Sequence, residues 1–227
     1  MKIGILQAGH APDDLRPDHG DFYDLFVRLL DGQGFSFANY DVVDMRFPTA
    51  VTDCDGWLVT GSKHGAYEDH PFIRPLETFI RDTYAADIPM VGICFGHQII
   101  AQALGGTVEK FSGGWAVGRQ TYDWNGKPIA LNAWHQDQVV TRPRSAQPYG
   151  SNPFCENAAL VYDNRIFTVQ AHPEFDATFT EGLGETRGEG VVPDGQLALM
   201  REELSKPVDN GFLAQQISQF LKERTIS

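Results

Sequence analysis

The chain has 227 residues, a formal net charge of −12 and three cysteines. This length fits one α/β domain with a single core, so residues 1–227 are expected to form one domain. The acidic charge argues against a nucleic-acid partner or an anionic membrane surface, because both are bound through clustered Lys and Arg. The cysteines form no disulfide framework and no zinc-type spacing, and the chain opens on a predicted strand rather than a signal peptide. A cytoplasmic protein is therefore expected.

Strand and helix patterns alternate through the first half of the chain. Short apolar runs predict buried strands, and apolar residues three and four apart predict amphipathic helices between them. Such alternation is typical of a parallel sheet covered on both faces, in which ligands bind beyond the carboxyl ends of the strands. In chain order we predict a strand at 2–7, a helix at 22–30, a weaker strand at 35–44, a strand at 56–60, a helix at 73–84, a strand at 89–93 and a helix at 95–104.

The second half has a different pattern, with short strands separated by Gly, Asn and Pro turns. An antiparallel extension of the sheet is the simplest arrangement for these strands. The Gly-rich, acidic stretch 182–195 predicts a mobile surface loop, so 176–227 is expected to be a loop followed by a final helix at 212–221. The predicted strands lie at 107–111, 117–124, 128–131, 158–162 and 165–170.

Cys94 lies where a predicted strand meets a predicted helix. Gly92 and Gly96 stand two residues to either side of it. This Gly-x-nucleophile-x-Gly pattern indicates a nucleophile elbow, a sharp turn that exposes its central side chain. The N–H groups and the positive dipole end at the start of a helix favour a thiolate there. The pattern therefore predicts a reactive cysteine.

His172 and Glu174 follow the last predicted strand, at the edge of the sheet where Cys94 is expected. Because the two residues are two apart, both side chains would point to the same side of an extended segment. A nucleophilic cysteine needs a base that accepts its proton and a third group that orients that base. The three residues could fill these roles, although a single histidine after a strand is more often a structural residue.

Two segments together resemble the class I, triad-type glutamine amidotransferases. They are Gly-Ile-Cys-Phe-Gly-His-Gln at 92–98 and His-Pro-Glu at 172–174. The resemblance extends over about residues 3–175, the expected catalytic core, and includes the loop at 60–65 and the segment at 132–139. It implies a flavodoxin-like three-layer sandwich with a mostly parallel central sheet and the antiparallel extension predicted above.

The resemblance also implies roles for individual residues. Cys94 would be the nucleophile, His172 the general acid and base, and Glu174 the residue that orients His172. The implied reaction is hydrolysis of the γ-carboxamide of glutamine through a γ-glutamyl thioester, without a cofactor. The implied oxyanion hole is formed by backbone N–H groups of Phe95 and of Gly61 or Ser62, and the implied substrate-binding residues are Gln98, Trp134 and His135.

Three functions stay open at this stage. The first is release of ammonia from glutamine, with a separate synthetase as the ammonia-accepting partner. The second is hydrolysis of a γ-glutamyl peptide or conjugate, because the stretches at 61–69 and 114–118 resemble stand-alone relatives of the guanylate-synthase type, which are similar to plant γ-glutamyl peptidases. The third is a non-catalytic regulatory subunit. One departure from the family is Gly61-Ser62-Lys63, where Gly-Gly-Pro is usual.

No metal site is predicted from the sequence. The loop that follows the first strand contains several His and Asp residues, but their spacing matches no ligand template. A solvated loop is the favoured interpretation. The residues concerned are His10, Asp13, Asp14, Asp18 and His19.

Overall fold

The computed structural model describes residues 1–226. Its centre is a nine-stranded sheet in the order β2-β1-β3-β4-β11-β10-β9-β6-β7. The first five strands in this order are parallel, and their arrangement is the flavodoxin-like order 2-1-3-4-5. The strands are Lys2–Leu6 (β1), Ser36–Tyr40 (β2), Gly56–Val59 (β3), Met90–Ile93 (β4), Thr107–Lys110 (β5), Ala116–Trp124 (β6), Lys127–His135 (β7), Asp137–Thr141 (β8), Ala146–Ser151 (β9), Ala159–Tyr162 (β10) and Ile166–Val169 (β11).

Helices cover both faces of the sheet, which makes the predicted three-layer sandwich. One core lies between the sheet and the apolar faces of α3 and α4, and a second lies under α2 and α7. No helix among residues 1–226 has both the length and the apolar composition needed to cross a membrane. The helices are Arg16–His19 (α1), Phe22–Leu29 (α2), Ile73–Ala85 (α3), Phe95–Ala103 (α4), Ala177–Leu183 (α5), Asp194–Glu203 (α6) and Asn210–Glu223 (α7).

The antiparallel extension is present and is larger than predicted. Strands β10, β9, β6 and β7 continue the sheet in antiparallel order, while β5 and β8 pair separately. Strands β8 and β9 were not predicted from the sequence. In β9, Pro148 and Gly150 suggest a turn, but Pro148 lies opposite Leu160 beside an irregularity in the register, where a missing N–H is tolerated. A Cβ on Gly150 would lie 2.4 Å from the Trp124 ring, so glycine is needed there for close packing.

The loop predicted at 182–195 is wrong for most of its length. Helix α5 continues into a π-helical segment, Gly184–Gly188, and α6 begins at Asp194. A Cβ would lie 2.5 Å from Leu15 at Gly182 and 2.7 Å from Met200 at Gly184. These glycines therefore serve close helix packing rather than chain flexibility, a use that composition alone cannot distinguish from a loop.

Helix α4 packs very closely on strands β3 and β4. A Cβ on Gly96 would lie 2.3 Å from the carbonyl oxygen of Val59, and one on Gly92 would lie 2.6 Å from the carbonyl oxygen of Gly96. Gly96 N–H in turn donates a hydrogen bond to the carbonyl oxygen of Thr60. The two glycines thus let the helix start directly against the sheet, with Cys94 at the junction.

We predict that Gly96→Ala destabilises the protein by about 1–3 kcal/mol or more, because the added methyl group overlaps with backbone that has no free space to move into. Gly211→Ala is the matched control, since nothing lies within 4 Å of a Cβ at that helical position. The free energy of unfolding, measured in urea, checks both variants. Equal stability of the Gly96→Ala protein and the parent would contradict the close packing described here.

Candidate active site

Cys94 occupies a strained turn between β4 and α4. Its backbone has φ 53° and ψ −104°, in the region of positive φ that residues other than glycine rarely adopt. Its N–H donates to the carbonyl oxygen of Val169 on β11 at 2.8 Å, which fixes the turn to the centre of the sheet. The Sγ atom lies 4.0 Å from the carbonyl oxygen of Trp134. This is the geometry expected of a nucleophile elbow.

His172 and Glu174 form a buried hydrogen-bonded pair just beyond β11. His172 Nδ1 lies 2.7 Å from Glu174 Oε1, and the side chains are 4% and 0% exposed. The His172 ring stacks on Phe175 with ring centroids 3.9 Å apart and planes 4° apart. The carboxylate and the aromatic ring together fix the orientation of the imidazole, so that Nε2 is the nitrogen left for another partner.

The structure brings His172 to Cys94. A Cβ placed on Gly61 would lie 3.0 Å from His172 Cε1 and 3.9 Å from Cys94 Cβ, so the two side chains lie next to each other. Burial lowers the pKa of His172, but the adjacent Cys94 and Glu174 more than compensate and raise it to about 10. A protonated imidazole between sulfur and carboxylate is therefore the favoured state at neutral pH.

Thr60 positions the loop that contains Gly61 and Ser62. Its buried hydroxyl accepts a hydrogen bond from the N–H of Ala8 at 3.0 Å and donates one to the carbonyl oxygen of Gly61 at 2.9 Å. Ser62 Oγ accepts from the N–H of His64 at 3.1 Å. The loops after β1, β3 and β4 consequently meet at one edge of the sheet, as expected for parallel strands.

A cavity of about 500 Å³ opens beside Cys94. The three predicted substrate-binding residues, Gln98, Trp134 and His135, line it. The Gln98 amide nitrogen, however, donates to Asp137 O at 2.9 Å and Gln170 Oε1 at 3.1 Å, so this part of the side chain already supports the fold. The full lining is Ser62, Lys63, His64, Gly65, Tyr67, Glu68, Cys94, Gln98, Lys110, Trp115, Trp134, His135, Gln136, Asp137, Arg187 and Val191.

Asn132 is a supporting residue whose role was not predicted from the sequence. Its carbonyl oxygen accepts from His172 N–H at 2.8 Å, and its amide nitrogen donates to the carbonyl oxygen of Phe175 at 3.1 Å. One residue on β7 thus holds both ends of the segment that contains His172 and Glu174, through its backbone carbonyl and its side chain. No sequence signal marks this contact, because it joins positions 40 residues or more apart.

Other chemically interesting residues lie outside this arrangement. His97 is buried, its Nδ1 lies 2.7 Å from Thr168 Oγ1, and burial lowers its pKa to about 3, so it ties α4 to β11 as a neutral ring. Cys54 precedes β3 whereas Cys94 follows the parallel strand β4, so the two cysteines are at opposite ends of the sheet. Burial raises the pKa of Cys155 to about 12, which keeps that thiol protonated.

These features define an α/β protein of flavodoxin-like order with a cysteine at a nucleophile elbow and a histidine-carboxylate pair beside it. The family model for "Glutamine amidotransferase class-I" matches residues 20–182. This match covers well over half of the chain, so the protein belongs to the class I glutamine amidotransferase family. The resemblance inferred from 92–98 and 172–174 is thereby confirmed.

Individual relatives agree with this assignment. The chain is 30% identical over 244 residues to a glutamine amidotransferase-like protein of Schizosaccharomyces pombe, covering 97% of this chain and 98% of that protein. It is 29% identical over 174 residues to γ-glutamyl peptidase 4 of Arabidopsis thaliana, covering 70% and 69% of the two chains. The crystal structure of a glutamine amidotransferase from Methylobacillus flagellatus has the same fold, with a TM-score of 0.76 at 22% identity over 99% of this chain and 92% of that chain.

The raised pKa of His172 leads to a pH prediction. We expect its imidazole to titrate near 10. In a Cys94→Ala variant its pKa should be lower, because the substitution removes one of the two groups that raise it. Because the folded pKa lies above the unfolded value of about 6.5, its contribution to stability is complete below about 6.5 and is lost as the pH rises through about 10.

Nitrogen NMR of the histidine side chains checks this prediction. His135 is the internal control, because burial lowers its pKa to about 4 and its ring should stay neutral throughout the same titration. A His172 ring that titrates at or below 6.5 in the parent protein would contradict the pairing with Cys94.

Proposed function

We propose that the protein hydrolyses γ-glutamyl amide bonds with Cys94, His172 and Glu174 as its catalytic residues, and that glutamine is its leading substrate. The observation that carries the proposal is the placement of Cys94 beside a buried His172 whose Nδ1 is hydrogen-bonded to Glu174. This arrangement supports transfer of the thiol proton to the ring, and therefore a thiolate beside an imidazolium.

In the first half of the reaction, Cys94 Sγ attacks the γ-carbon of the substrate amide. The carbonyl oxygen becomes an oxyanion, which the backbone N–H of Phe95 and one from Gly61 or Ser62 would stabilise. Each such donor typically contributes about 10² to 10³ in rate. His172 Nε2 then donates its proton to the departing nitrogen, the C–N bond breaks, and ammonia leaves when glutamine is the substrate.

In the second half, water hydrolyses the γ-glutamyl thioester. His172 accepts a proton from the attacking water, and the C–S bond breaks to regenerate the thiolate and release glutamate. Glu174 keeps Nδ1 protonated throughout, so that Nε2 serves as the acceptor and donor in both halves. No step in this sequence requires a cofactor.

Several finer points stay part of the proposal. We propose that the whole chain acts as one cytoplasmic domain with a catalytic core at about 3–175. When glutamine is the substrate, a separate synthetase would be the partner that accepts the ammonia. Trp134, His135 and Gln98 would contact the amino-acid end of the substrate, since all three line the cavity beside Cys94.

We predict that Cys94→Ala and His172→Ala each lower the rate of glutamate release from glutamine by at least about 10²-fold, because positioned nucleophiles and acid/base groups contribute at that level. Cys54→Ala is the matched control and should keep the parent rate, since Cys54 lies at the other end of the sheet. Glutamate and ammonia are measured directly. A Cys94→Ala protein that is folded and as fast as the parent would reject the proposal.

The second candidate is a γ-glutamyl peptidase that acts without a partner. One feature of the cavity favours the peptidase, because basic side chains line the cavity together with Cys94. Lys63, Lys110 and Arg187 could bind the carboxylate of a peptide leaving group, which ammonia does not have. The similarity to the Arabidopsis protein agrees with this alternative.

A comparison of glutamine with a γ-glutamyl dipeptide distinguishes the two candidates. If the basic wall binds the leaving group, kcat/KM is higher for the dipeptide, and Arg187→Met lowers that value by at least about tenfold while changing the value for glutamine little. Higher kcat/KM for glutamine, with no effect of Arg187→Met on the dipeptide, would eliminate the peptidase.

A further inference from the structure

Three side chains in the loop after β3 converge on one point. Glu68 Oε2 lies 2.7 Å from His70 Nε2 and 3.7 Å from His64 Nδ1. One ligand atom from each residue falls within 4.8 Å of the others, and no other group of three or more potential ligands meets this condition within residues 1–226. We propose that His64, Glu68 and His70 form a binding site for a divalent transition-metal ion, with Zn²⁺ as the best fit.

The donor set points to zinc. Two imidazole nitrogens and one carboxylate oxygen are ligands that Zn²⁺ accepts, and three protein ligands leave a fourth tetrahedral position for water or another molecule. With metal-ligand distances of about 2.1 Å, tetrahedral ligand atoms stand about 3.4 Å apart. The two histidine-carboxylate separations of 2.7 and 3.7 Å lie on either side of this value, and all three ligand atoms lie within 4.8 Å of one another.

The rings are held in place by packing. The His64 and His70 ring centroids are 4.0 Å apart, and both rings contact Phe72, with centroids 5.8 and 6.0 Å from it. Phe72 itself is only 2% exposed. The two imidazole rings are thus largely oriented before any ion binds.

The ligand types narrow the choice of ion. Mg²⁺ prefers oxygen ligands, and only one of the three ligand atoms here is an oxygen. Zn²⁺ and similar ions form strong bonds to imidazole nitrogen, so the two histidines favour such ions over Mg²⁺.

The site belongs to the wall of the cavity that contains Cys94. His64 and Glu68 both line that cavity, so a bound ion would share it with whatever molecule enters. The inference rests on the ligand geometry alone and does not depend on the reaction proposed for Cys94.

A second histidine-carboxylate group in the chain provides the control. His10 Nδ1 lies 2.6 Å from Asp21 and His10 Nε2 lies 3.3 Å from Asp44. The two ring nitrogens point in opposite directions, so the two carboxylates cannot share one ion with a single nitrogen. His10→Asn therefore removes a comparable ion pair without touching the proposed site.

The test is titration calorimetry of the metal-free Cys94→Ala protein with ZnCl₂ and with MgCl₂ near neutral pH. This background removes the thiol that could itself bind zinc together with His172. We expect one Zn²⁺ per chain and no Mg²⁺. Added to this background, Glu68→Gln and His70→Asn should each weaken zinc binding by at least about tenfold, and His10→Asn should leave it unchanged.

Absence of zinc binding in the Cys94→Ala protein would overturn the proposal. So would binding that both Glu68→Gln and His70→Asn leave unchanged, or that His10→Asn weakens equally. Circular dichroism establishes that each variant is folded. Because the two ligand substitutions are independent, either one is sufficient if the other variant does not fold.

Discussion

The structure depends on a close approach between helix α4 and the strands beneath it. The carbonyl oxygen of Val59 lies only 2.3 Å from where a Cβ of residue 96 would be, and the carbonyl oxygen of Gly96 lies only 2.6 Å from where a Cβ of residue 92 would be. This packing forces Cys94 into a backbone conformation that typically costs about 1–3 kcal/mol and that only a well-packed surrounding maintains. The consequence is a sulfur atom held at the carboxyl end of the sheet at the start of a helix.

Every other part of the site is placed relative to that sulfur by the sheet. Strand β11 lies beside β4 in parallel, so the segment after it delivers His172 to the same edge. Strand β7 is the edge strand at the other end of the nine-stranded sheet, yet its residue Asn132 pairs with His172 in the same segment. The loop after β3 arrives from the other side of β4 and is held by Thr60. Most contributors thus follow the carboxyl ends of parallel strands and Asn132 lies within β7, which is why residues far apart in sequence meet.

The sequence predicted those parts of the site that have a local pattern. Gly92, Cys94 and Gly96 form a recognisable turn, and the alternation of elements predicts the parallel half of the sheet. Asn132 and Thr60 could not be assigned a role, because their importance lies in long-range hydrogen bonds that leave no spacing signal. The glycines at 182 and 184 were misinterpreted because glycine in a loop and glycine at a tight helix contact have the same composition. The residues His64, Glu68 and His70 were given no role from the sequence, because their spacing matches no ligand template.

The reactivity of the three cysteines under native conditions tests the central claim most directly. Iodoacetamide alkylation, followed by mass spectrometry of each cysteine, compares Cys94 with Cys54 and Cys155 in the parent and in a His172→Ala variant. We predict that Cys94 reacts fastest in the parent and much more slowly without His172, because the imidazolium stabilises its thiolate. Burial raises the pKa of both other thiols, which should keep them slow in either protein. A Cys94 no more reactive than Cys54, or unaffected by His172→Ala, would contradict the account.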